Sequence, residues 1–308
     1  MWGNRVDERR RLRSIRQNLE KRELIYQNTR RFFKEKGFLE IETPVITSEI
    51  VPESQISPFE GDGWFLITSP EIYMKRMLAA GYKNIFQISR VFRKREKGRY
   101  HNPEFTLLEW YRAGATYHDV LRDTEELLLE LAIKITQSNI IAYQGVAIDL
   151  SLPWLEISLP PLFEKVAGWD PTIAYDPLRF DTDLVVKVIP SLPQDRPSVL
   201  FDYPAPAASL ARLKNDDPRV AERAEVFIGQ LELANAYTEL TDPGEQRQRF
   251  LEEIDKMGGR LTLPRKFLKS LDYLPDCGGI ALGMDRLVML FCDAPTIDEV
   301  MAFSDENA

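Results

Sequence analysis

The chain has 308 residues, of which 44% are hydrophobic, a length and composition typical of one large globular domain or two small ones. Its formal net charge of -8 argues against a general nucleic-acid binder, although a local basic patch would still allow one. The two cysteines, Cys277 and Cys292, lie among apolar residues, so we expect free thiols. The charged N-terminus and the lack of a long apolar run predict a cytoplasmic protein without a membrane span.

The N-terminal part of the chain predicts helices and short strands. Residues 1–22 are rich in Arg and read as a basic helical extension, and residues 24–33 repeat apolar side chains at helical spacing up to a cap at Gly37. Short strands are expected at residues 38–41, after Pro44 and at residues 66–68. A second helix then begins, with its cap, first position and first turn at Ser69, Pro70 and Glu71.

A long hairpin is predicted next, with strands at residues 85–92 and 105–111. Alternate side chains of a strand share one face, which here carries Phe105, Leu107, Glu109 and Tyr111. A buried acid is costly unless a cation meets it, so Glu109 indicates a cationic ligand. The loop between the strands contains the cationic residues Arg93, Lys94, Arg95, Lys97 and Arg99, followed by His101. Such a loop suits a polyphosphate.

The rest of the chain predicts a proline-rich lobe and further strands and helices. Residues 118–136 are helical, and residues 150–197 read as an insertion or a connecting lobe. Strands are expected at residues 199–203, 224–227, 231–240 and 277–282, and helices at residues 242–257, 267–271 and 284–291. Antiparallel strands flanked by helices indicate an α+β fold.

The strand at residues 231–240 repeats the pattern of polar groups on one face. Its odd positions include Asn235, Tyr237 and Glu239. A turn at residues 228–229 would place Glu225 opposite Glu232, where two carboxylates are unfavourable unless a divalent cation such as Mg²⁺ bridges them. Because Glu232 is even-numbered, a bulge near Ala234 is needed to bring all these groups to one site.

A glycine-rich strand supplies the last candidate element. Gly279, Ala281 and Gly283 alternate, so one strand face is nearly bare and a flat ligand can approach it. Arg286 follows in the first turn of a helix, where it can stack on a base or meet phosphates. Taken singly, each of these acids, tyrosines and arginines is more often a surface or packing residue; the joint pattern favours a site.

Three segments carry a resemblance to a known family. In chain order they are RRFFKEKGFLEIETPVI, VFRKREKGRYHNPEFTLLEWY and GGIALGMDRLVML. They resemble motifs 1, 2 and 3 of the class II aminoacyl-tRNA synthetases, specifically the lysyl branch, over residues 20–304. The resemblance implies a class II catalytic domain with an antiparallel sheet flanked by helices, and a homodimer formed through motif 1. There is no room before motif 1 for the anticodon-binding OB domain of lysyl-tRNA synthetases, so we expect one catalytic domain over residues 1–308.

Without that domain, the chain is similar to a shortened paralogous family, the elongation factor P–(R)-β-lysine ligases. That resemblance implies ATP- and Mg²⁺-dependent activation of (R)-β-lysine and its transfer to a lysine side chain of elongation factor P. Arg93 and Arg286 would be catalytic, and Glu225 and Glu232 would bind the metal. The implied ATP site comprises Arg93, Lys94, Arg95, His101, Asn102, Phe105, Glu232, Leu233, Gly283 and Arg286. The implied amino-acid site comprises Ser69, Pro70, Glu71, Glu109, Tyr111, Asn235, Tyr237, Glu239 and Ala281.

Departures from the family pattern keep alternatives open. Arg95 stands where motif 2 usually has an acid, and Glu96, one position later, is a candidate replacement through a local bulge. Ala281 matches the ligase branch, whereas lysyl-tRNA synthetases have glycine there. A minimal lysyl-tRNA synthetase remains an alternative, although the net charge argues against tRNA as a partner. A non-catalytic amino-acid-binding regulator is another alternative, and the intact set of ATP residues argues against it. An asparagine synthetase-like relative is a third alternative, but it would need a cationic pocket for the side chain, whereas Glu109 and Glu239 are anionic.

Overall fold

The structure is a computed structural model that describes residues 8–307; the start of the predicted basic extension, residues 1–7, lies outside the described residues. Its helices are α1 (Glu8–Ser14), α2 (Arg16–Glu35), α3 (Glu71–Ala79), α4 (Tyr117–Thr136), α5 (Leu159–Ala167), α6 (Pro177–Asp183), α7 (Ile189–Ser191), α8 (Pro243–Lys256), α9 (Arg265–Ser270) and α10 (Met284–Cys292). Its strands are β1 (Leu39–Glu40), β2 (Ile46–Thr47), β3 (Glu60–Gly61), β4 (Trp64–Leu66), β5 (Asn84–Phe92), β6 (Glu104–Ala113), β7 (Ile140–Tyr143), β8 (Val146–Asp149), β9 (Leu155–Ser158), β10 (Ser198–Pro204), β11 (Val220–Ile228), β12 (Leu231–Thr238) and β13 (Cys277–Gly283).

One large sheet organises the fold. Its eight strands follow the order β1-β5-β6-β13-β12-β11-β10-β9. The edge pairs β1/β5 and β9/β10 are parallel, and the pairs between them are antiparallel. The α+β prediction is confirmed. The order brings the two chemically marked strands, β6 and β12, to either side of the glycine-rich strand β13.

One face of this sheet carries the main core, under α2, α4 and α10. The even-numbered residues Leu108 and Trp110 of β6 are fully buried there, as their alternation predicts. Phe33 of α2 stacks on Phe86 of β5, with ring centroids 4.8 Å apart. Burying each such side chain contributes roughly 1.5–3 kcal/mol. The opposite face of β6 is thereby left for polar side chains.

The hairpin of β11 and β12 corrects the predicted turn and pairing. Its turn lies at Gly229–Gln230, one residue later than predicted, and both residues have positive φ, as a two-residue hairpin loop requires. Glu225 therefore pairs with Asn235, and Glu232 pairs with Phe227; the two acids are not directly opposite. A bulge is present, but it falls between the Ala234 and Glu232 pairs, so that Leu233 is the extra residue. The bulge turns Glu232 to the face of Asn235.

The start of α3 also departs slightly from the prediction. The helix begins at Glu71 with Pro70 as its cap residue, one position later than the sequence suggested. Ser69 still performs the capping contact, because its Oγ accepts a hydrogen bond from the Glu71 amide at 3.0 Å. Ser69 also donates a hydrogen bond to Glu109, so the start of α3 is held beside β6.

The basic N-terminal helices pack against the C-terminal segment. Lys21 Nζ donates to the Phe291 carbonyl at 2.8 Å, and Arg22 donates to the Val300 carbonyl at 3.2 Å. Arg22 also pairs with Asp285 at 2.7 Å. Lys21 and Arg22 are therefore engaged within the chain, whereas Arg10, Arg13 and Arg16 are exposed.

Residues 150–197 contribute edge strand β9 and the helices α5–α7, joined in part by a π-helical turn over Leu184–Val188. Phe163 and Phe180 stack there with centroids 5.0 Å apart. That this segment is an insertion stays a prediction. Both cysteines are free, Cys277 buried and Cys292 half-buried. No helix within residues 8–307 is long and apolar enough to span a membrane.

Candidate active site

A cavity of about 1120 Å³ opens over the polar face of β6, β13, β12 and β11. It is lined by every predicted site residue except Pro70, Lys94 and Arg95. Glu71, Glu109 and Glu239 line one part of this cavity, here called the acidic end, and Arg286 and His101 line another, here called the cationic end, together with Glu96 and Glu232. A group of three acids apart from an arginine suits a ligand with an amine at one end and an anionic group at the other.

Glu109 lies at the acidic end and is 1% exposed. Ser69 Oγ donates to its Oε1 at 2.8 Å, and the Tyr111 hydroxyl donates to its Oε2 at 3.1 Å. Burial, reinforced by the nearby carboxylate of Glu71, raises the pKa of Glu109 to about 8. Glu109 is thus a desolvated acid whose ionised form gains from a cationic ligand.

Glu71 and Glu239 share a buried cation that the sequence analysis missed. Lys75, one helical turn after Glu71, is 0% exposed and forms ion pairs with both carboxylates. Burial raises the pKa of Glu239 to about 8 against the lowering influence of Lys75. The spacing of four residues between Glu71 and Lys75 is a sequence signal for that ion pair, but it does not indicate burial or the contact with Glu239.

The floor of the acidic end is the glycine-rich strand β13. Ala281 lies in register between Glu109 on β6 and Asn235 on β12. Gly279 lies between Tyr111 and Tyr237, and a Cβ added there would come within 2.1 Å of Glu239 Oε1. The absence of a side chain at Gly279 therefore leaves room for the Glu239 carboxylate, in addition to the predicted bare strand face.

At the cationic end, Arg286 connects two predicted ATP residues. One of its nitrogens lies 2.6 Å from His101 Nε2, and the other donates to the Glu232 carbonyl at 2.7 Å. Burial and the neighbouring Arg286 lower the pKa of His101, which favours the neutral ring. Glu96 also lines the cavity, with its carboxylate 3.3 Å from His101. The structure thus brings Glu96, and not Arg95, into the site.

Arg93 lies between the two ends of the cavity. Its guanidinium is 5.2 Å from the centroid of the Phe105 ring, and its Nε donates to the Thr68 carbonyl at 3.3 Å. Asn102, although it lines the cavity, has a structural engagement: its amide donates to the Glu104 carbonyl and accepts from the Asp305 amide. Lys94 and Arg95 are exposed and do not line the cavity.

Glu225 is buried and already has partners that sequence reasoning missed. Tyr203 donates to its Oε2 at 2.6 Å, and Arg223 and Asn235 donate to its Oε1 at 2.6 and 3.3 Å. Burial raises the pKa of Glu225, while Arg223 opposes that change. Arg223 and Glu225 are two residues apart on β11, so their side chains share one face of the strand. This spacing is the sequence signal that could have identified the pair.

The fit of a divalent cation depends on Glu225 and Glu232. Both line the cavity, and the Oε1 atom of Glu225 accepts from two donors, so this carboxylate is a well-oriented ligand. Within residues 8–307 no group of three or more acidic, histidine or cysteine side chains is arranged to hold a metal. Two carboxylates fit Mg²⁺ when phosphate oxygens complete the shell, and this set suits an ion that arrives with a nucleotide.

A buried acid in the cavity lining links α2 to the second and third motif segments. Asp285 receives the ion pair from Arg22 and accepts a hydrogen bond from the Thr106 amide at 2.7 Å. Asp285 therefore joins α2 to β6. It directly precedes Arg286 in the first turn of α10, so these contacts also hold the helix turn that carries Arg286. No local pattern of residues indicates this connection, because the partners are far apart along the chain.

Comparisons with known proteins show the family of the chain. A family model described as tRNA synthetases class II (D, K and N) matches residues 4–307. The chain is similar to an elongation factor P–(R)-β-lysine ligase of Pectobacterium carotovorum subsp. carotovorum (strain PC1). The two are 39% identical over 317 residues, which cover 94% of this chain and 96% of that protein.

Proposed function

The chain belongs to the class II tRNA synthetase family, and we propose that it is an ATP-dependent ligase that activates (R)-β-lysine and transfers it to a lysine side chain of elongation factor P. The observation that carries the substrate class is the set of three carboxylates, Glu71, Glu109 and Glu239, at one end of the cavity. Such a pocket favours an amino acid with two amines over one with an apolar or acidic side chain. The proposed reaction is cytoplasmic.

The acidic end would bind the two amines of the substrate. Glu109 would receive one ammonium group, in a pocket where Ser69 and Tyr111 hold its carboxylate in place. Glu71 lies at the helix start, nearer the reacting end, and would receive the other. Ala281, with its methyl group between Glu109 and Asn235, would restrict the depth to which the amino acid enters.

The cationic end would bind ATP. Arg93 would hold the substrate carboxylate and the α-phosphate, and Arg286 would stack on the adenine opposite Phe105. His101, Leu233 and Gly283 complete the lining of the nucleotide region. Glu225 and Glu232 would hold Mg²⁺, which neutralises phosphate charge when it is bound.

Two steps follow from this arrangement. In the first, a carboxylate oxygen of the amino acid attacks the α-phosphorus in line, an acyl-adenylate forms and pyrophosphate leaves. Arg93 stabilises the charge that develops on the phosphoryl oxygens, and the pocket orients the attacking group. In the second step, the acceptor lysine amine attacks the acyl carbon, the amide bond forms and AMP leaves.

A homodimer through the motif 1 region is part of the proposal. Leu39, Val45 and Ile46 lie in that region, and each is 40–58% exposed. A cluster of exposed apolar side chains is typical of a buried interface. Ile46→Asp should shift the protein to monomers in analytical ultracentrifugation; a wild-type monomer at micromolar concentration would contradict this part.

ATP–pyrophosphate exchange tests the proposed activation directly. We expect exchange with (R)-β-lysine, less with α-lysine, and none with norleucine, which lacks the distal amine. A wild-type protein that exchanges pyrophosphate with none of these would be a binding protein and would refute the enzymatic assignment. Efficient exchange with norleucine would refute the role of the acidic pocket.

A further inference from the structure

Lys75 is a fully buried cation close to the cavity but absent from its lining. Its neighbours on α3, Met74 and Leu78, are equally buried, and its ammonium lies 5.9 Å from the centroid of the Phe267 ring. An ammonium group in such surroundings is costly unless it is paired. The proposed reaction gives Lys75 no role, so its burial needs another explanation.

The two partners of Lys75 both face the cavity. Glu71 Oε1 pairs with the ammonium from the first turn of α3, and Glu239 Oε2 pairs with it from the end of β12. The other oxygen of Glu239 occupies the space beside Gly279 in which a side chain at that position would lie. Lys75 thus binds each carboxylate on the side away from the cavity and holds it in one orientation towards the pocket.

Glu109 differs from these two acids. Its hydrogen-bond donors, Ser69 and Tyr111, are neutral hydroxyls, and no ion pair to it occurs within residues 8–307. Of the three carboxylates at the acidic end, two therefore share an internal cation and the third has none. Glu109 is therefore the carboxylate whose ionised form gains most from a cationic group of a ligand.

We propose that Lys75 is a positioning residue whose ammonium is the internal counter-charge of the amino-acid pocket. It holds Glu71 and Glu239 as oriented acceptors and leaves Glu109 as the carboxylate that forms an ion pair with the ligand amine. This inference rests on the proposed function, because it takes the cavity as a pocket for an amino acid with two amines.

The surrounding charges support this role. Burial alone would lower the pKa of Lys75, but the carboxylates of Glu239 and Glu71 outweigh it and raise that pKa, so the ammonium stays charged. The other titratable groups near this cluster include Glu53, Arg93, Glu109, Tyr111, Tyr237, Asp276 and Cys277. Among them only Arg93 is cationic, and it lies in the loop after β5. Without Lys75, the buried Glu239 would take up a proton more readily.

The test is the pH dependence of KM for (R)-β-lysine in pyrophosphate exchange between pH 6.5 and 9. Lys75→Met should raise KM about tenfold or more at pH 7.5. The pH below which KM increases should be higher in this variant than in the wild type by about one unit or more. Lys75→Arg keeps the charge and should retain the wild-type profile. Lys83→Met removes one exposed lysine close in the sequence and is the matched control.

A stability measurement separates loss of positioning from loss of folding. Lys75→Met should lower the melting temperature by about 5 to 8 °C, and the double variant Lys75→Met/Glu239→Gln should recover part of that loss because only the Glu71 carboxylate is then left without its cation. A folded Lys75→Met protein with the wild-type pH profile of KM would overturn the inference. An inactive wild-type protein would instead count against the proposed function, and the stability cycle would then still show whether Lys75 is the counter-charge of Glu239.

Discussion

Replacing Gly279 by alanine perturbs the acidic end of the cavity with a single methyl group. The new Cβ would lie 2.1 Å from Glu239 Oε1 and 2.3 Å from a ring carbon of Tyr111, roughly 1 Å or more short of ordinary contact. Glu239 is 1% exposed and paired with Lys75, so it cannot yield without breaking that contact. Overpacking of this kind costs about 1–3 kcal/mol.

That cost gives two expected readings. The melting temperature should fall by about 2 to 5 °C, and KM for (R)-β-lysine should rise about tenfold or more, because a displacement near 1 Å in a binding group is enough to misplace the substrate. KM for ATP should change little. Gly61→Ala is the control, since a Cβ at Gly61 meets nothing within 4 Å. If Gly279→Ala kept both the wild-type melting temperature and KM, the packing of Glu239 against β13 would be wrong.

Three further predictions address the fold and the two ends of the site. Arg22→Met should destabilise the protein by about 3–5 kcal/mol in urea, because it leaves buried Asp285 without its cation; Arg16→Met, whose side chain is 79% exposed, should change stability by less than about 0.5 kcal/mol. The folded-state pKa of Glu109, about 8, exceeds its unfolded value, so its contribution to stability is complete below about pH 4 and is lost as pH rises through about 8. The free energy of unfolding of Glu109→Gln, relative to that of the wild type, should therefore increase by about 2–5 kcal/mol between pH 5 and 9, and the variant should lose exchange with (R)-β-lysine. An equal pH dependence of this free energy in both proteins would refute the burial argument. Arg286→Ala should raise KM for ATP about tenfold with an unchanged melting temperature, and an unchanged KM would remove Arg286 from the nucleotide site.

The hairpin of β5 and β6 was predictable because its signals are local. Period-two alternation assigned Leu108 and Trp110 to the core and Glu109 and Tyr111 to the opposite face, and the structure confirms both assignments. The strand order, in contrast, depends on pairing between distant segments. It was not predicted, because the family resemblance was used only to expect an antiparallel sheet flanked by helices.

The second hairpin shows how a one-residue error propagates. Gln230 has positive φ, which a non-glycine residue adopts less readily, so the turn was assigned one residue too early. That shift wrongly placed Glu225 opposite Glu232. The need for a bulge was still recognised, because the odd and even polar residues of β12 cannot otherwise share a face.

The contacts that hold the site together were the least predictable. Lys75 meets Glu239 across more than half of the chain, and Arg22 meets Asp285 across most of it. Neither pair leaves a local pattern, and a charged residue on a helix is more often solvated than buried. Only the tertiary fold distinguishes these cations from surface charges.

One competition reaction tests the central claim most directly. The protein is incubated with ATP, Mg²⁺ and labelled (R)-β-lysine in the presence of both elongation factor P and bulk tRNA, and the label on each macromolecule is measured. The proposed function predicts label on elongation factor P, and its loss when the acceptor lysine is replaced. Label on tRNA alone would contradict it and would identify a minimal tRNA-charging enzyme.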